Sequence, residues 1–153
     1  APVTRPRRLI LFAGDHGVVG DGVSAWPQAV TGAMMATIAA GRATSSALAA
    51  AQDCCLELID AGAAYPPLGA TAAQDGMAVL LLGEMGIGNT TSAACLTALL
   101  AGASARLATG RGAGADDAAL TRKQAIVAAA TARAAALMAD NPRAAIAEVA
   151  GFE

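Results

Sequence analysis

The chain contains four short apolar runs, and the segments between them contain turn-forming or charged residues. Apolar residues in these runs follow one another with little alternation, which favours strands buried on both faces. The predicted strands are Arg8–Ala13, Leu56–Asp60, Met77–Leu82 and Ala105–Thr109.

The segments between the strands carry helical patterns. Val30, Met34 and Ile38 recur every four residues, which predicts a helix from Pro27 to about Ala40 with Pro27 in its first turn. The other predicted helices are Ala43–Gln52, Thr90–Ala101, and a long one that begins at a cap on Asp116 or Asp117 and reaches Asp140, where Asn141-Pro142 ends it.

Strands that alternate with helices predict an α/β fold: a doubly wound, mostly parallel sheet with helices on both faces, Rossmann-like in its three layers. The length of 153 residues fits a single domain spanning 1–153. Ligands of such sheets bind beyond the carboxyl ends of the strands. We therefore expect the loops after Ala13, Leu82 and Thr109 to face one crevice.

The composition and the spacing of particular residues exclude several classes of function. A net charge of −2 and 3% aromatic residues disfavour nucleic acid as a partner. No apolar run is long enough for a membrane span, and the cysteine and histidine spacing predicts no metal site. Cys54, Cys55 and Cys95 form no paired framework, so we expect reduced thiols in a cytoplasmic protein.

The segment Gly83–Thr91 runs from a strand end through three glycines into a helix start. Glycines let the backbone approach a phosphate closely, and helix amides attract negative charge. The spacing matches neither the dinucleotide fingerprint nor the Walker loop. From spacing alone, an ordinary βα turn capped by Asn89 or Thr90 remains the alternative.

A second glycine loop, Gly110–Gly114, precedes the long helix. Lys123 lies about two turns into that helix, and because side chains tilt toward the helix N-terminus, its ammonium can reach back to hold a phosphate. Asp116 and Asp117 work against an anion placed directly on the helix amides. A solvated surface lysine is the alternative.

Two further groups lie at the predicted crevice. Glu84 can stabilise a cationic sugar centre or accept a proton, or it can simply rigidify its loop. His16 is the only histidine, and the bland interpretation is a structural hydrogen bond that fixes its loop.

These residues resemble the nicotinate-nucleotide:dimethylbenzimidazole phosphoribosyltransferases of cobalamin biosynthesis. Asp15-His16-Gly17-Val18 and Gly22–Thr31 are similar to that family's DHGV and GVSAxPxxVT signatures. Gly83–Thr91 is identical to its GEMGIGNTT signature, and Gly110–Lys123 is similar to its GRGTGxDDxGLxxK block, with Ala113 in place of the usual threonine.

The resemblance implies a reaction and a set of roles. The family transfers the phosphoribosyl group of nicotinate mononucleotide to 5,6-dimethylbenzimidazole, giving α-ribazole 5'-phosphate and nicotinate. It needs no cofactor and no metal, and its members commonly form homodimers. By resemblance, Glu84 is the catalytic candidate and Ser24 lines the benzimidazole pocket, while Lys123 and amides near Gly86, Gly112 and Gly114 hold the phosphate. Ile87 is a further substrate-binding candidate.

Family chains are more than twice this length, and their C-terminal part carries the motif RLGEGTGA, whose glutamate is regarded as the general base. That part is not in the present sequence, which ends at Glu153. The alternative function is accordingly a non-catalytic relative that binds the nucleotide or phosphate without that base.

Overall fold

The computed structural model describes residues 3–62 and 78–150, and its contacts divide them into two compact units. The first unit contains residues up to Gly14 and the segment from Ala29 to Gly86. The second contains Asp15–Gln28 and the chain from Ile87 onward. The expectation of a single domain over 1–153 stays a prediction.

The first unit is built on a parallel sheet. Its described strands are β1 (Arg7–Ala13), β2 (Cys54–Asp60) and β3 (Val79–Met85), in the order β2-β1-β3. The order changes direction at β1, as in doubly wound sheets, and the predicted α/β class with a parallel sheet is confirmed. Met77, the predicted start of the third strand, lies outside the described residues.

Two helices connect β1 to β2. They are α1 (Val30–Ala39) and α2 (Thr44–Ala51), and both pack against β2. Gly41 separates them with a φ of +71°, a conformation that glycine adopts without steric cost. The helix predicted from Pro27 begins three residues later than expected, at Val30, because residues 28–29 form a turn before it.

The second unit is helical in its described part. A short 3-10 helix (Gly17–Asp21) is followed, beyond the other unit's segment, by four helices: α3 (Asn89–Ala101), α4 (Ala105–Ala108), α5 (Asp117–Leu137) and α6 (Pro142–Ala150). Its buried core contains mainly small side chains from α3, α5 and α6: Ala94, Cys95, Ala98, Val127, Ala130, Ala134 and Val149. Small side chains let helices pack closely, and alanine also favours the helix itself.

The strand predicted at Ala105–Thr109 is wrong, because α4 occupies that position. Ser104 caps this helix by accepting a hydrogen bond from the Leu107 amide at 3.3 Å. Leu107 is 81% exposed, which a buried strand would not allow. Apolar runs this short do not distinguish strand from helix, and the alanine, arginine and leucine here are good helix formers.

A buried ion pair joins two strands of the sheet. Arg8 of β1 donates from Nη1 to Glu57 Oε2 of β2 at 3.1 Å, and both side chains are at most 5% exposed. Removing the carboxylate of such a pair takes a charged partner away from a buried guanidinium, which costs much more than losing an exposed pair.

Glu57→Gln should therefore lower the free energy of unfolding by about 3–5 kcal/mol, and the double substitution Arg8→Met with Glu57→Leu should recover most of that loss. Arg5→Ala is the matched control, because it removes the exposed pair between Arg5 and Asp53 and should cost less than about 1 kcal/mol. Urea unfolding measures all three. If Glu57→Gln were as mild as Arg5→Ala, the pair would have no structural role.

Candidate functional site

Lys123 is the only lysine of the chain, and its side chain is buried, with 1% of its surface exposed. Its ammonium reaches back from the second turn of α5 toward the start of the helix. Nζ donates to Thr90 Oγ1 at 2.6 Å and to the Gly110 carbonyl at 3.2 Å. The expected reach toward the glycine loop, residues Gly110–Gly114, is confirmed, and the alternative of a solvated surface lysine is wrong.

Both oxygens that accept from Lys123 are uncharged. Within residues 3–62 and 78–150, the Lys123 ammonium forms no ion pair with a carboxylate. Burial lowers the pKa of Lys123, because desolvation disfavours its charged form. A buried cation without a counter-ion is costly, and a bound anion would lower that cost.

The glycine loop lies against Lys123 and Thr90. Gly112 has a φ of +60°, and a Cβ added there would lie 2.9 Å from Thr90 Oγ1 and 3.6 Å from Lys123 Nζ. Gly114 has a φ of +98°, and a Cβ added there would meet no atom within 4 Å. Gly112 is therefore required by close approach as well as by conformation, whereas Gly114 borders open space.

Thr90 lies in the first turn of α3, so the amides at the start of that helix are close to it in the chain. Gly88 precedes the helix with a φ of +93°, and no side chain caps the helix start. A Cβ on Gly88 would lie 2.8 Å from Val19 Cγ2 and 3.2 Å from His16 Cβ. Thr90 itself uses its hydroxyl to accept from Lys123. The alternative in which Asn89 or Thr90 caps this helix is therefore wrong.

The start of α5 is different, because a carboxylate already occupies it. Asp116 Oδ1 accepts from the Ala119 amide at 2.7 Å, as the sequence predicted for the helix cap. Asp117, next in the chain, pairs with Arg111. An anion on the α5 amides would meet both carboxylates, so the glycine loop and Lys123 are the electrostatically favourable part.

A segment we call the Ser24 loop, residues 22–27, is tied to these elements within the same unit. Trp26 donates from its indole Nε1 to the Ala113 carbonyl at 3.0 Å. Arg122 donates from Nη2 to the Gly22 carbonyl at 3.0 Å. Ser24 Oγ accepts from the Trp26 amide at 3.1 Å, so this hydroxyl fixes the turn that presents the indole.

His16 is buried, and its Nδ1 lies 3.3 Å from Ser92 Oγ, at hydrogen-bonding distance. Ser92 belongs to the first turn of α3, so this contact fixes the loop of His16 to that helix. The structural role expected for the histidine is confirmed.

Five of the predicted site residues lie in the second unit: Ser24, Ile87, Gly112, Gly114 and Lys123. The other two predicted residues belong to the first unit. Glu84 is an exposed residue near the end of β3, paired in register with Phe12, and Gly86 follows that strand directly. The substrate roles of all seven residues stay predictions.

Two residues of this site were missed in the sequence. Thr90 was considered only as a helix cap, and Trp26 only as part of a motif. The available signals were that Thr90 follows a glycine turn and that Trp26 is the only tryptophan. Their partners, Lys123 and Ala113, are 33 and 87 residues away in the sequence. The expected position of Gly110–Gly114 at a strand end was also wrong, because the loop follows α4.

Neither a metal cluster nor a membrane-spanning helix occurs in the described part of the chain. No group of three or more histidine, cysteine, aspartate or glutamate side chains there is arranged to hold a metal ion. No helix there is both long and apolar enough to cross a bilayer.

The lowered pKa of Lys123 predicts a pH dependence of stability. Between the native pKa and the ordinary value of about 10.4, the unfolded chain binds more protons than the folded one. Stability should therefore rise with pH across that window. Lys123→Met should weaken the rise, while the exposed Arg143→Met should keep it. Urea unfolding from neutral pH to about pH 10 measures both, and equal slopes in all three proteins would contradict the assignment.

Comparison with known proteins places the chain among phosphoribosyltransferases. The family model DBI_PRT, described as phosphoribosyltransferase, matches residues 1–70 and 66–153. The nicotinate-nucleotide--dimethylbenzimidazole phosphoribosyltransferase of Ralstonia nicotianae is 39% identical over 193 aligned residues, covering 100% of this chain and 54% of that protein. The enzyme of the same name from Ectopseudomonas mendocina is 38% identical and covers 95% and 52%.

A solved structure gives the same assignment for the fold. The crystal structure of CobT from Thermus thermophilus matches with a TM-score of 0.76 and 28% identity, covering 99% of this chain and 56% of that one. The Rossmann-like α/β fold expected from the sequence is therefore confirmed. This chain spans about half the length of the relatives it matches. Because the family model covers the whole sequence, the chain belongs to the DBI_PRT phosphoribosyltransferase family.

Proposed function

We propose that the protein transfers the phosphoribosyl group of nicotinate mononucleotide to 5,6-dimethylbenzimidazole, with nicotinate and α-ribazole 5'-phosphate as products. The observation that carries the proposal is the buried ammonium of Lys123, which lies beside a glycine loop with uncharged oxygens as its acceptors. The names of the relatives support the choice of substrates.

The phosphate site is proposed to use one N–H of Lys123 and nearby backbone amides. An ammonium has three donors, and the bonds to Thr90 and Gly110 engage two of them. We propose that the third donates to a phosphate oxygen, together with the amides of Gly112 and Gly114, and that Ile87 is a further substrate contact. A dianion there would offset the cost of burying the cation, and the ribose would extend from this anchor.

The proposed chemistry needs no change of redox state. The bond between the ribose C1' and the pyridine nitrogen breaks, and its electron pair goes to that nitrogen, which loses its positive charge. A nitrogen of the azole forms the new bond to C1' on the opposite face, and the azole loses a proton. Glu84 is our proposed catalytic residue for stabilising the developing positive charge on the ribose or receiving that proton. Gly86, close to it in the chain, is a further proposed substrate contact.

The acceptor is proposed to bind at the Ser24 loop. The hydroxyl of Ser24 accepts from the Trp26 amide and still has its own proton to donate. A neutral azole nitrogen is a suitable acceptor for that proton. Trp26 bonds this loop to the glycine loop and Arg122 bonds it to α5, which supports an acceptor pocket beside the phosphate site.

We also propose a homodimer in the cytoplasm. Leu, Ile, Val and Phe together make up 31 of the 153 residues, so the bulky apolar core is thin and a partner subunit would add buried surface. The cysteine thiols of the described residues, Cys54, Cys55 and Cys95, are free, as suits a reducing compartment.

Lys123→Met should weaken nicotinate mononucleotide binding by roughly 1.5–3 kcal/mol, or about 10- to 150-fold, because a charge-assisted hydrogen bond to phosphate is lost. Arg143→Met, which removes one exposed positive charge from α6, is the charge-matched control and should bind as tightly as the unchanged chain. Titration calorimetry measures all three. Equal affinity of the two variants would contradict the role of Lys123.

The reaction itself is tested by incubating the chain with nicotinate mononucleotide and dimethylbenzimidazole and following nicotinate by chromatography. Nicotinate and α-ribazole 5'-phosphate should appear in equal amounts, and Glu84→Gln should slow turnover by about 10²–10⁴-fold while binding is retained. Binding by the unchanged chain without any turnover would contradict the proposed activity and support the non-catalytic alternative.

A further inference from the structure

The carbonyl of Ala113 is held by a side chain from a distant part of the sequence. Trp26 donates its indole N–H to this oxygen at 3.0 Å, across 87 residues. The indole is 52% exposed, so apolar burial alone does not account for its orientation. The hydrogen bond is a specific contact between the Ser24 loop and the glycine loop.

The peptide bond that follows Ala113 transmits this contact to Gly114. In a planar trans peptide the carbonyl of one residue and the N–H of the next point in opposite directions. The only cis peptide among the described residues is Arg5-Pro6. With its carbonyl turned to the indole, the Ala113-Gly114 peptide therefore directs the Gly114 N–H away from Trp26.

Ala113 lies between two glycines, and Gly114 in particular lets the peptide that follows Ala113 reorient. Gly112 and Gly114 have φ values of +60° and +98°, and glycine has several other conformations available at similar energy. A Cβ on Gly114 would meet no atom within 4 Å, so packing does not fix this residue. The Ala115 amide closes the turn by donating to the Arg111 carbonyl at 3.2 Å. Within that turn, loss of the indole would leave the Gly114 amide freer, and ordering it would reduce the affinity of any ligand that uses it.

We propose that Trp26 is a positioning residue that orients the Gly114 amide for the substrate phosphate. This inference rests on the proposed function, in which that amide is one of the phosphate donors. Trp26 acts through the backbone and does not itself contact the phosphate. In the proposed function this hydrogen bond only holds the two loops close together; here it also has a role in binding the phosphate.

Both ends of the glycine loop are held in the same manner. Lys123 donates to the Gly110 carbonyl, and Arg111 donates from Nη1 to the Ala115 carbonyl at 3.0 Å. Three side-chain donors thus fix carbonyls in or next to the loop. Of these three, only Trp26 comes from the Ser24 loop, whose own turn is fixed by the bond from the Trp26 amide to Ser24 Oγ. Movement of Ser24 on acceptor binding would therefore reach the phosphate donors through Trp26.

The test exploits the fact that Trp26 is the only tryptophan of the chain. Growth of a tryptophan auxotroph on benzothienylalanine replaces the indole N–H by sulfur at this position alone, with nearly the same ring shape. Titration calorimetry then compares inorganic phosphate, nicotinate mononucleotide and the phosphate-free nicotinate riboside. Thermal melting of both proteins is the check on folding.

The substituted chain should bind phosphate and the mononucleotide about two- to tenfold more weakly, the loss typical of one neutral hydrogen bond. Its affinity for the riboside should be unchanged, which a merely structural role would not give, and it should still unfold in one cooperative transition. Trp26→Phe should reproduce the phosphate effect, because it also lacks the donor.

The outcomes separate this inference from the proposed function. Equal phosphate affinity in the two proteins, with clear binding by both, would overturn the role of Trp26 and leave the proposed function standing. An equal loss of affinity for the riboside would also overturn it. Failure of the unchanged chain to bind the mononucleotide would overturn the proposed function and this inference together.

Discussion

The arrangement around the candidate site depends on one buried ammonium whose acceptors are uncharged. Lys123 lies within the second unit, bonded to the hydroxyl of Thr90 and the carbonyl of Gly110, with no carboxylate partner in residues 3–62 and 78–150. Burial of a charge without a counter-ion is unfavourable, and the lowered pKa of this group reflects that cost. The buried guanidinium of Arg8 differs from this ammonium, because it is paired with the carboxylate of Glu57.

The surrounding backbone is organised around this cation. Gly112 approaches Thr90 and Lys123 so closely that a side chain would collide with the hydroxyl, and Gly88 lets the start of α3 lie against His16 and Val19. At the neighbouring helix, Asp116 caps α5 and removes its amides as an anion site. The position proposed for a dianion is therefore beside Lys123, the glycine loop and the start of α3, which no side chain caps.

The sequence predicted those parts whose signals are local. The apolar run at Arg8–Ala13 became β1, and the acidic cap at Asp116 marked the start of α5. Prediction was wrong at Ala105–Thr109, because so few residues cannot show a period, and α6 was missed because Pro142 was considered a stop although it occupies a first helical turn capped by Asn141. The reach of Lys123 followed from helix geometry. Its partner Thr90 and the contact between Trp26 and Ala113 could not be predicted, since they depend on how distant segments pack.

The most direct measurement is an NMR titration of the Lys123 side chain. Lysine labelled with ¹³C at Cε gives one side-chain signal, because the chain has a single lysine. We predict a pKa below the ordinary value of about 10.4 in the free protein and a clear rise in that pKa when inorganic phosphate is added, because the dianion stabilises the ammonium. A signal that titrates like free lysine, or one that phosphate leaves unchanged, would contradict the central role of this cation.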